Sequence, residues 1–203
     1  MPNNGSAMLA IFCDLAPEDQ SDFRPWLSED MFPARLNIGF RNCASFDLIK
    51  GEGSEFVTLY ETPSVGHLYG VPYQALRQSR TSRDATYHEK FQNPERYTLT
   101  WTGPEITKET NNFAPYIYID RFNLKNHSIE EFNAWFINAY VPAFMKCSQT
   151  VSLRRYNSIE GPHKHFILHE LIGPETSQNS RHLIRQKAEF GINISGMYEK
   201  IIQ

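Results

Sequence analysis

The sequence has little of what marks several common classes of protein. Its three cysteines are scattered, and their odd number and spacing give neither a disulfide framework nor a zinc site. The formal net charge is −3, so the chain lacks the basic surface of a nucleic-acid-binding protein. No apolar run reaches the length of a membrane span, and residues 1–6 show no signal-peptide pattern. We therefore expect a cytoplasmic protein that binds neither nucleic acid nor membranes.

Motifs for nucleotide binding and serine hydrolysis are also missing. The chain contains no G-x-G-x-x-G, no Walker phosphate loop and no G-x-S-x-G turn. What it does have is aromatic side chains, at 13% of residues, within a hydrophobic fraction of 40%. A chain of 203 residues with this composition is long enough to bury a proper core.

Matches separated by 109 positions indicate an internal duplication. The segment Phe23-Arg24-Pro25-Trp26 recurs as Phe132-Asn133-Ala134-Trp135. The same offset relates Pro33-Ala34 to Pro142-Ala143, Leu59 to Leu168, and Glu61 to Glu170. The first strands instead match best 106 positions apart, which places three extra residues between Asn123 and His127. We predict repeats over residues 1–108 and 109–203, joined between Pro104 and Phe113.

Each repeat is predicted to run strand, helix, strand, strand, helix, strand. Alternating hydrophobicity, turn residues and helix-start signals give the boundaries. In the first repeat the elements are Ala7–Asp14, Pro17–Phe32, Asn42–Ile49, Glu55–Thr62, Val65–Gln78 with an interruption at Pro72, and Arg96–Trp101, while residues 79–95 stay unassigned. In the second repeat they are Tyr116–Phe122, Ile129–Lys146, Val151–Tyr156, Lys164–Leu171, Ser177–Phe190 and Met197–Ile202.

This order is the ferredoxin-like plan, an antiparallel sheet with helices on one face, so the fold class is α+β. Two such repeats can bury their bare sheet faces against each other and close a barrel. The helix motif Phe23-x-x-Trp26, leading into Glu29-Asp30-Met31-Phe32-Pro33-Ala34-Arg35-Leu36, is similar to the Trp-x-x-x-His-x-Pro pattern of EthD-like proteins. The chain thus resembles the dimeric α+β barrel superfamily, as a tandem EthD-like protein. The histidine of that pattern is absent, so no catalytic residue carries over.

The resemblance implies small-molecule chemistry, because the superfamily includes cofactor-free isomerases, cyclases, lyases and small monooxygenases, as well as haem proteins. We expect apolar positions such as Val57, Leu59, Phe166 and Leu168 to face the helices, which turns the polar positions into the barrel. The inward set of the second repeat is then Tyr116, Tyr118, Asp120, Ser152, Arg154, Tyr156, His165, Ile167 and His169. That of the first repeat is blander: Ala10, Phe12, Asp14, Ser45, Asp47, Phe56, Thr58 and Tyr60. The difference predicts one site, on the side of the second repeat.

Histidine chemistry is the strongest signal in that set. His165 and His169 lie four residues apart on one strand face, roughly 13 Å, too far to share one metal ion without a bulge. Each is better suited to proton transfer, since imidazole titrates near neutral pH. Asp120 would orient a histidine or act as a second acid–base group, and Arg154 would stabilise an enolate or bind a carboxylate. The predicted pocket walls are Tyr116, Tyr118, Tyr156, Tyr60, Phe12, Phe56 and Asp14.

We therefore predict a cofactor-free enzyme, of the isomerase, lyase or cyclase type, that acts by proton transfer on a small aromatic or carbonyl-bearing metabolite in the barrel lumen. No cofactor and no metal are expected, and the chain would be a monomer or a homodimer. Two alternatives stay open. One is a binding or accessory protein that holds a metabolite without chemistry, and the other is a haem- or metal-dependent oxygenase. Arg77, Arg80 and Arg83 form a basic patch that we interpret as a solvated helix end, and His88 has no predicted role.

Overall fold

The computed structural model describes residues 5–107, 112–125, 128–146, 148–174, 186–192 and 194–203. The strands are β1 Ala7–Asp14, β2 Asn42–Gly51, β3 Phe56–Thr62, β4 Gln92–Thr107, β5 Tyr116–Phe122, β6 Thr150–Glu160, β7 His165–Leu171 and β8 Ile194–Ile202. The α-helices are α1 Pro17–Trp26, α2 Phe32–Leu36, α3 Val65–Tyr69, α4 Val71–Gln78, α5 Ser82–Lys90, α6 Ile129–Trp135 and α7 Val141–Met145.

The eight strands form one closed antiparallel barrel in the order β1-β3-β2-β8-β5-β7-β6-β4. Each repeat contributes four neighbouring strands, β4-β1-β3-β2 and β8-β5-β7-β6, which is the ferredoxin-like order expected from the sequence. The two sheets meet at the β2–β8 and β4–β6 pairs, so the barrel closes within one chain. The predicted α+β fold, two ferredoxin-like repeats forming an intrachain barrel, is confirmed. Residues 108–111 lie outside the described residues, and the domain boundary at 108 stays a prediction.

The first helix of each repeat contains a π-helical segment at the same place. Leu27–Met31 joins α1 to α2, and Phe136–Tyr140 joins α6 to α7. In the first segment the N–H of Phe32 donates to the carbonyl of Leu27, five residues back. This wider turn comes directly before Pro33, a residue that lacks an N–H and would clash inside a regular helix. The helix therefore passes the proline and continues to Leu36, although the sequence predicted an end at Phe32.

Both faces of the barrel wall are apolar. The interior holds a dry cluster from both repeats, almost all of it without solvent exposure: Met8, Ala10, Phe12, Ala44, Phe46, Val57, Leu59, Tyr97, Leu99, Phe113, Ile117, Ile119, Tyr156, Phe166, Leu168 and Tyr198. Separate clusters lie between each sheet and its own helices, one centred on Phe23 and Trp26, the other on Phe132 and Phe136. Burial of this much apolar surface on both sides is the main stabilising contribution to the fold.

The predicted facing of several strands is wrong. Val57, Leu59, Phe166 and Leu168 fill the barrel instead of contacting helices. The predicted inward residues Tyr116, Tyr118, Asp120, His165, Ile167, His169, Phe56, Thr58, Tyr60, Ser45 and Asp47 accordingly lie on the outer face of the wall. The placement of Ala10, Phe12, Ser152, Arg154 and Tyr156 on the inner face is right.

The error has a geometric cause. In the sheet, Ala10 pairs with Leu59, and Ile119 pairs with Leu168, so the first strands are related by 109 positions and not by 106. An odd shift of three residues turns every side chain to the opposite face of a strand. A closed barrel also needs an apolar interior, whereas the sequence prediction places the polar face of the strands in the lumen and their apolar face under the helices.

The unassigned residues 79–95 contain a helix and the start of a strand. Helix α5 begins at a capping box in which Thr81 and Asp84 bond reciprocally to each other's backbone N–H. Strand β4 begins at Gln92, four residues before the predicted start. Of the predicted helix Ser177–Phe190, residues 177–185 lie outside the described residues, while 186–189 are helical. Among the helices of the described ranges, none has the length and apolar character needed to cross a membrane.

An ionic cluster is buried at one end of the barrel interior. The guanidinium of Arg154 pairs with Glu61 from the first repeat and lies 3.0 Å from Glu170, all three side chains being at most 4% exposed. Glu170 also accepts hydrogen bonds from Ser152 and from the N–H of Ala114. The two glutamates occupy equivalent positions of the repeats, so a single arginine bridges a pair of carboxylates that the duplication places at matching sites.

Replacing Arg154 with Ala should destabilise the protein by about 3–5 kcal/mol, because two buried carboxylates would lose their cation. Urea unfolding followed by circular dichroism measures the change. The control is Arg24→Ala, which removes a largely exposed pair with Asp47 and should cost less than about 1 kcal/mol. Equal losses in the two variants would show that the buried cluster contributes no more than a surface pair.

Candidate active site

The structure separates the four residues predicted to be catalytic. His169 and Asp120 lie together between the second sheet and its helices, His165 lies farther along the same face, and Arg154 lies on the other side of the wall. Arg154 is held by two carboxylates, so it is not available as an anion clamp in this structure. The catalytic roles stay predictions, but the shared lumen pocket on which they were based is wrong.

Asp120 is the centre of a buried polar network in the second repeat. Its carboxylate accepts hydrogen bonds from Tyr140 at 2.7 Å and from Ser195, and it pairs with the ammonium of Lys187 at 2.7 Å. Burial alone would raise the pKa of Asp120, but the charge of Lys187 holds it well below its usual value. The group is therefore ionised and fully occupied by donors.

His169 joins this network through Tyr140. Because the Tyr140 hydroxyl donates to Asp120, its oxygen accepts from Nε2 of His169 at 2.9 Å. This assigns the proton to Nε2 and leaves the lone pair on Nδ1, which is buried and has no partner among the described residues. Burial lowers the pKa of His169, so the ring is neutral at pH 7. The centroid of the Phe144 ring lies 4.0 Å from that of the imidazole, which leaves no room beside the imidazole for a substrate.

The remaining predicted pocket residues are dispersed. Tyr118 contacts Lys187, and Tyr116 donates to Glu199 at the surface. Phe12 and Tyr156 belong to the barrel core. Phe56 and Tyr60 lie under the helices of the first repeat, and the carboxylate of Asp14 accepts from the N–H of Glu55 and the amide of Asn93 at a strand end. The predicted pocket is therefore not assembled, and of these residues Tyr60 lines the cavity described next.

That cavity, of about 250 Å³, lies between the sheet and the helices of the first repeat. Its floor is the outer face of β1, β3 and β4, and its roof comes from α1, the π-helical segment, α2, α4 and α5. The lining is mostly apolar and aromatic, with a few polar groups: Leu9, Ile11, Cys13, Phe23, Trp26, Leu27, Met31, Ala34, Arg35, Thr58, Tyr60, Tyr73, Leu76, Arg77, Arg80, Asp84, His88, Phe91, Pro94 and Arg96. A concave apolar site with a few converging polar groups is typical of small-molecule binding.

Arg35 is the most unusual of these groups. Arg35 is 9% exposed, and its guanidinium lies over the ring of Tyr60, 4.6 Å from the ring centroid. It donates to the carbonyl and sulfur of Met31, while Nε has no hydrogen-bond partner among the described residues. Within the described residues it forms no ion pair. A buried cation is costly unless an anion accompanies it, so the cavity is suited to an anionic or partly anionic group.

His88 lines the same cavity from α5. Its Nδ1 lies 2.7 Å from the carbonyl of Asp84, which can only accept, so Nδ1 carries the proton and Nε2 has the lone pair. No donor among the described residues bonds to Nε2. Burial lowers the pKa of His88, and the charges of Arg80 and Arg35 lower it further, so the ring is neutral at pH 7. The side chain of Cys13 is less suited to react, because burial raises its pKa to about 12.

The helix that carries His88 is fixed to the roof of the cavity. The indole of Trp26 donates to Asp84 at 2.8 Å, and its ring stacks on Tyr87 at 4.5 Å. Arg83, which the sequence grouped with Arg77 and Arg80, pairs with Asp22, Glu29 and Asp30. Arg77 and Arg80 line the cavity instead. The three arginines of the predicted basic patch therefore differ in role, since Arg83 holds α5 in place and the other two face the cavity.

The second repeat fills the equivalent space with larger side chains. At 109 positions' distance, Leu27 becomes Phe136, Met31 becomes Tyr140, and Arg35 becomes Phe144. These aromatic residues are fully buried and pack around His169, which replaces Tyr60. The repeats have thus diverged: in the first these positions line a cavity that also holds His88, whereas in the second they carry buried aromatic side chains around His169.

Sequence reasoning missed the cavity for identifiable reasons. His88 lies in the unassigned segment 79–95. Thr81, followed three residues later by Asp84, is a helix-start signal in that segment that the sequence prediction does not use. Arg35 lies within the helix motif, where only the missing histidine was considered. The 109-residue offset applied to this helix is a usable signal, because it aligns the charged residue Arg35 of the first repeat with Phe144 of the second.

No protein-family model and no curated protein matches the chain. Among solved structures, similarity extends over nearly the whole chain at low identity. An anthrone oxidase-like protein has a TM-score of 0.63 and 10% identity over 99% of this chain and 94% of its own. A heme-binding protein from Thermus thermophilus has a TM-score of 0.55 and 10% identity over 98% and 92%. A ferredoxin-fold protein of Listeria monocytogenes, related to antibiotic biosynthesis monooxygenases, has a TM-score of 0.51 and 11% identity over 97% and 95%.

The chain has the dimeric α+β barrel fold. Strand order, barrel closure within the chain and similarity to ferredoxin-fold structures agree on this. At these identities the similarity establishes the fold alone, and a specific relation to EthD-like proteins is not confirmed. The site must therefore be argued from the residues of this chain.

A pH measurement tests the placement of His165. Its ring stacks on Phe122 at 5.2 Å, and burial and the charge of Arg155 lower its pKa to about 4. An unfolded histidine titrates near about 6.5, so between roughly pH 4 and 6.5 the unfolded chain binds more protons than the native one. The free energy of unfolding should therefore fall as the pH falls through this window. His165→Gln should make that fall less steep, and parallel curves for the two proteins would contradict the placement.

Filling the cavity should prevent ligand uptake. Met31→Phe adds a ring at the position equivalent to Tyr140, and we expect it to weaken binding of 2-naphthol at least tenfold, measured by calorimetry. The control, Phe136→Leu, makes the second repeat resemble the first at the position equivalent to Leu27 and should leave binding within about twofold of wild type. Tight binding by Met31→Phe would show that the ligand enters elsewhere.

Proposed function

We propose that the cavity of the first repeat is the active site of an enzyme that transfers a proton on a small aromatic or carbonyl-bearing metabolite. One observation carries this proposal: an unpaired arginine, Arg35, and a histidine with a free lone pair, His88, line the same apolar cavity. The chemistry is the one predicted from sequence, an imidazole base with a guanidinium as anion stabiliser, but different residues supply it.

His88 is suited to act as the general base. Its neutral ring lines the cavity, and the hydrogen bond from Nδ1 to the Asp84 carbonyl fixes the tautomer that leaves the lone pair on Nε2. A base that is unprotonated at neutral pH accepts a proton from a carbon acid at a useful rate. The side chain of Asp84 in turn accepts a hydrogen bond from the indole of Trp26. The orientation of the imidazole therefore depends on a contact with α1, in the roof of the cavity.

Arg35 is suited to stabilise the negative charge that forms. His88 takes the proton from a carbon next to a carbonyl. The electron pair of the C–H bond then forms a carbon–carbon double bond, and the π pair of the carbonyl moves to its oxygen, which gives an enolate. A guanidinium in a dry site stabilises that oxygen more in the transition state than in the ketone. Return of the proton from His88 to another carbon gives an isomer. Loss of a leaving group from the enolate gives a lyase product.

The size of the cavity limits the substrate. A protein cavity of about 150 Å³ takes a single benzene ring, so a space of 250 Å³ suits one substituted ring or two fused rings. The ring of Tyr60 and the side chains of Trp26 and Phe23 provide aromatic walls. The name of the anthrone oxidase-like structure, which refers to a carbonyl-bearing aromatic compound, supports this substrate class, as does the predicted EthD-like relation.

The described residues do not fit a haem group, although one similar structure is named as heme-binding. A tetrapyrrole is several times larger than the one or two rings that the cavity holds. In the second repeat the imidazole of His169 is enclosed by Tyr140 and Phe144 and has no open face. No group of three or more potential metal ligands occurs among the described residues. We therefore derive no step through a metal or haem.

The roles predicted for His165, His169, Asp120 and Arg154 remain a rival assignment of the same reaction. A specific observation supports keeping it: Nδ1 of His169 is buried with no partner among the described residues, next to the ionised Asp120. For a substrate to reach that nitrogen, the aromatic side chains around it must move. A binding protein without chemistry, as monomer or homodimer, is the other rival.

Hydrogen–deuterium exchange at the activated carbon of 2-tetralone, followed by proton NMR in deuterium oxide, tests the proposal without knowledge of the natural substrate. Wild-type protein should accelerate exchange. His88→Gln should slow it about 10²- to 10⁴-fold, and Arg35→Gln about 10²- to 10³-fold, because base and anion stabiliser are lost. Circular dichroism and thermal unfolding confirm that each variant is folded.

The double variant His165→Gln/His169→Gln is the matched control, since it removes the same chemical groups from the second repeat. Exchange near the wild-type rate in this variant, together with its loss in His88→Gln, supports the proposal. The reverse result assigns the base to the predicted pair. Tight binding of 2-tetralone without any exchange identifies a binding protein.

A further inference from the structure

The cavity is positively charged within an acidic protein. Four arginines line it, Arg35, Arg77, Arg80 and Arg96, but only one carboxylate does, that of Asp84. The whole chain has a net charge of −3, so this local excess of cations does not follow from composition. A concave site lined by one sign of charge concentrates ligands of the opposite sign.

The four arginines are not equivalent. Arg96 pairs with Glu160 at 2.6 Å and also donates to Thr98. Arg35 lies deep in the cavity and is assigned above to the reacting oxygen. Arg77 and Arg80 are exposed residues at the mouth, and neither forms an ion pair within the described ranges. The single lining carboxylate, Asp84, is already engaged with Trp26 and the backbone of Thr81.

The mouth arginines line the same cavity as the reacting groups. Arg77 lies in the last turn of α4, and Arg80 lies three residues further along, between α4 and α5. Arg80 is close enough to His88 for its charge to lower the pKa of that imidazole. The mouth pair, Arg35 and His88 therefore surround one space.

We propose that the substrate carries a carboxylate at the end opposite its reacting carbonyl or phenol, and that Arg77 and Arg80 bind it at the mouth. This inference rests on the proposed function for the position of the reacting end. Guanidinium groups bind carboxylates with paired hydrogen bonds, which also fixes orientation. The mouth pair would thus determine which acids are accepted and would direct the opposite end towards Arg35 and His88.

Two ligands of equal ring size test the inference by calorimetry. Wild-type protein should bind 6-hydroxy-2-naphthoate at least tenfold more tightly than 2-naphthol at low salt, and the advantage should shrink as salt increases. In Arg77→Gln/Arg80→Gln the ratio of the two dissociation constants should fall to about one. The control Arg24→Gln/Lys50→Gln removes the same charge away from the cavity and should keep the wild-type ratio.

A ratio that persists in Arg77→Gln/Arg80→Gln, or one that is close to one in wild type, would overturn the inference. Arg35→Gln identifies the other possible carboxylate site, since loss of the ratio in that variant alone would place the carboxylate deep in the cavity. Because these are binding measurements, they remain decisive if 2-tetralone shows no exchange. Failure of the proposed function and failure of this inference are thus distinguishable.

Discussion

The fold depends on the requirement that each sheet bury both of its faces. One face closes the barrel interior against the other repeat, and the other face lies under the helices of its own repeat. Apolar side chains therefore occupy both phases of the strand alternation, and a polar residue on either face needs a partner. Arg154 with its two glutamates meets this requirement inside the barrel, and Asp120 with Lys187 meets it under the helices. Exceptions, such as Nε of Arg35 and Nδ1 of His169, then become informative.

Duplication explains how the two repeats could diverge. Two identical halves would have to carry the same residues twice, whereas a fused chain can keep a cavity in one half and fill the other. The exchange of Met31 and Arg35 for Tyr140 and Phe144 at equivalent positions of the two helices is this kind of divergence. The π-helical segment is retained in both, so the helix geometry is common and the side chains decide.

Much of the architecture was predictable from the sequence, because it depends on local patterns. The 109-residue offset, the alternation of the strands and the helix-start signals predicted the element order and the closed barrel. The site was not predictable in the same way. Facing depends on strand phase: an error of three residues in aligning Tyr116–Phe122 with the first strand reversed the facing of that strand, and the expectation of a polar lumen reversed the facing of β2, β3 and β7. Whether a buried cation has a partner depends on residues distant in sequence, and Arg35 gives no sign of this in its own neighbourhood.

The two equivalent tryptophans offer the most direct measurement of the central claim, that the ligand site belongs to the first repeat. The indole N–H of Trp26 donates to Asp84 at the cavity, and that of Trp135 donates to Gln186 in the filled second repeat. Titration of nitrogen-15-labelled protein with 2-naphthol, followed by the indole signals, compares them in one sample. The account predicts a saturable shift of the Trp26 signal with little change at Trp135. A shift at Trp135 with none at Trp26 would place the site in the second repeat and contradict it.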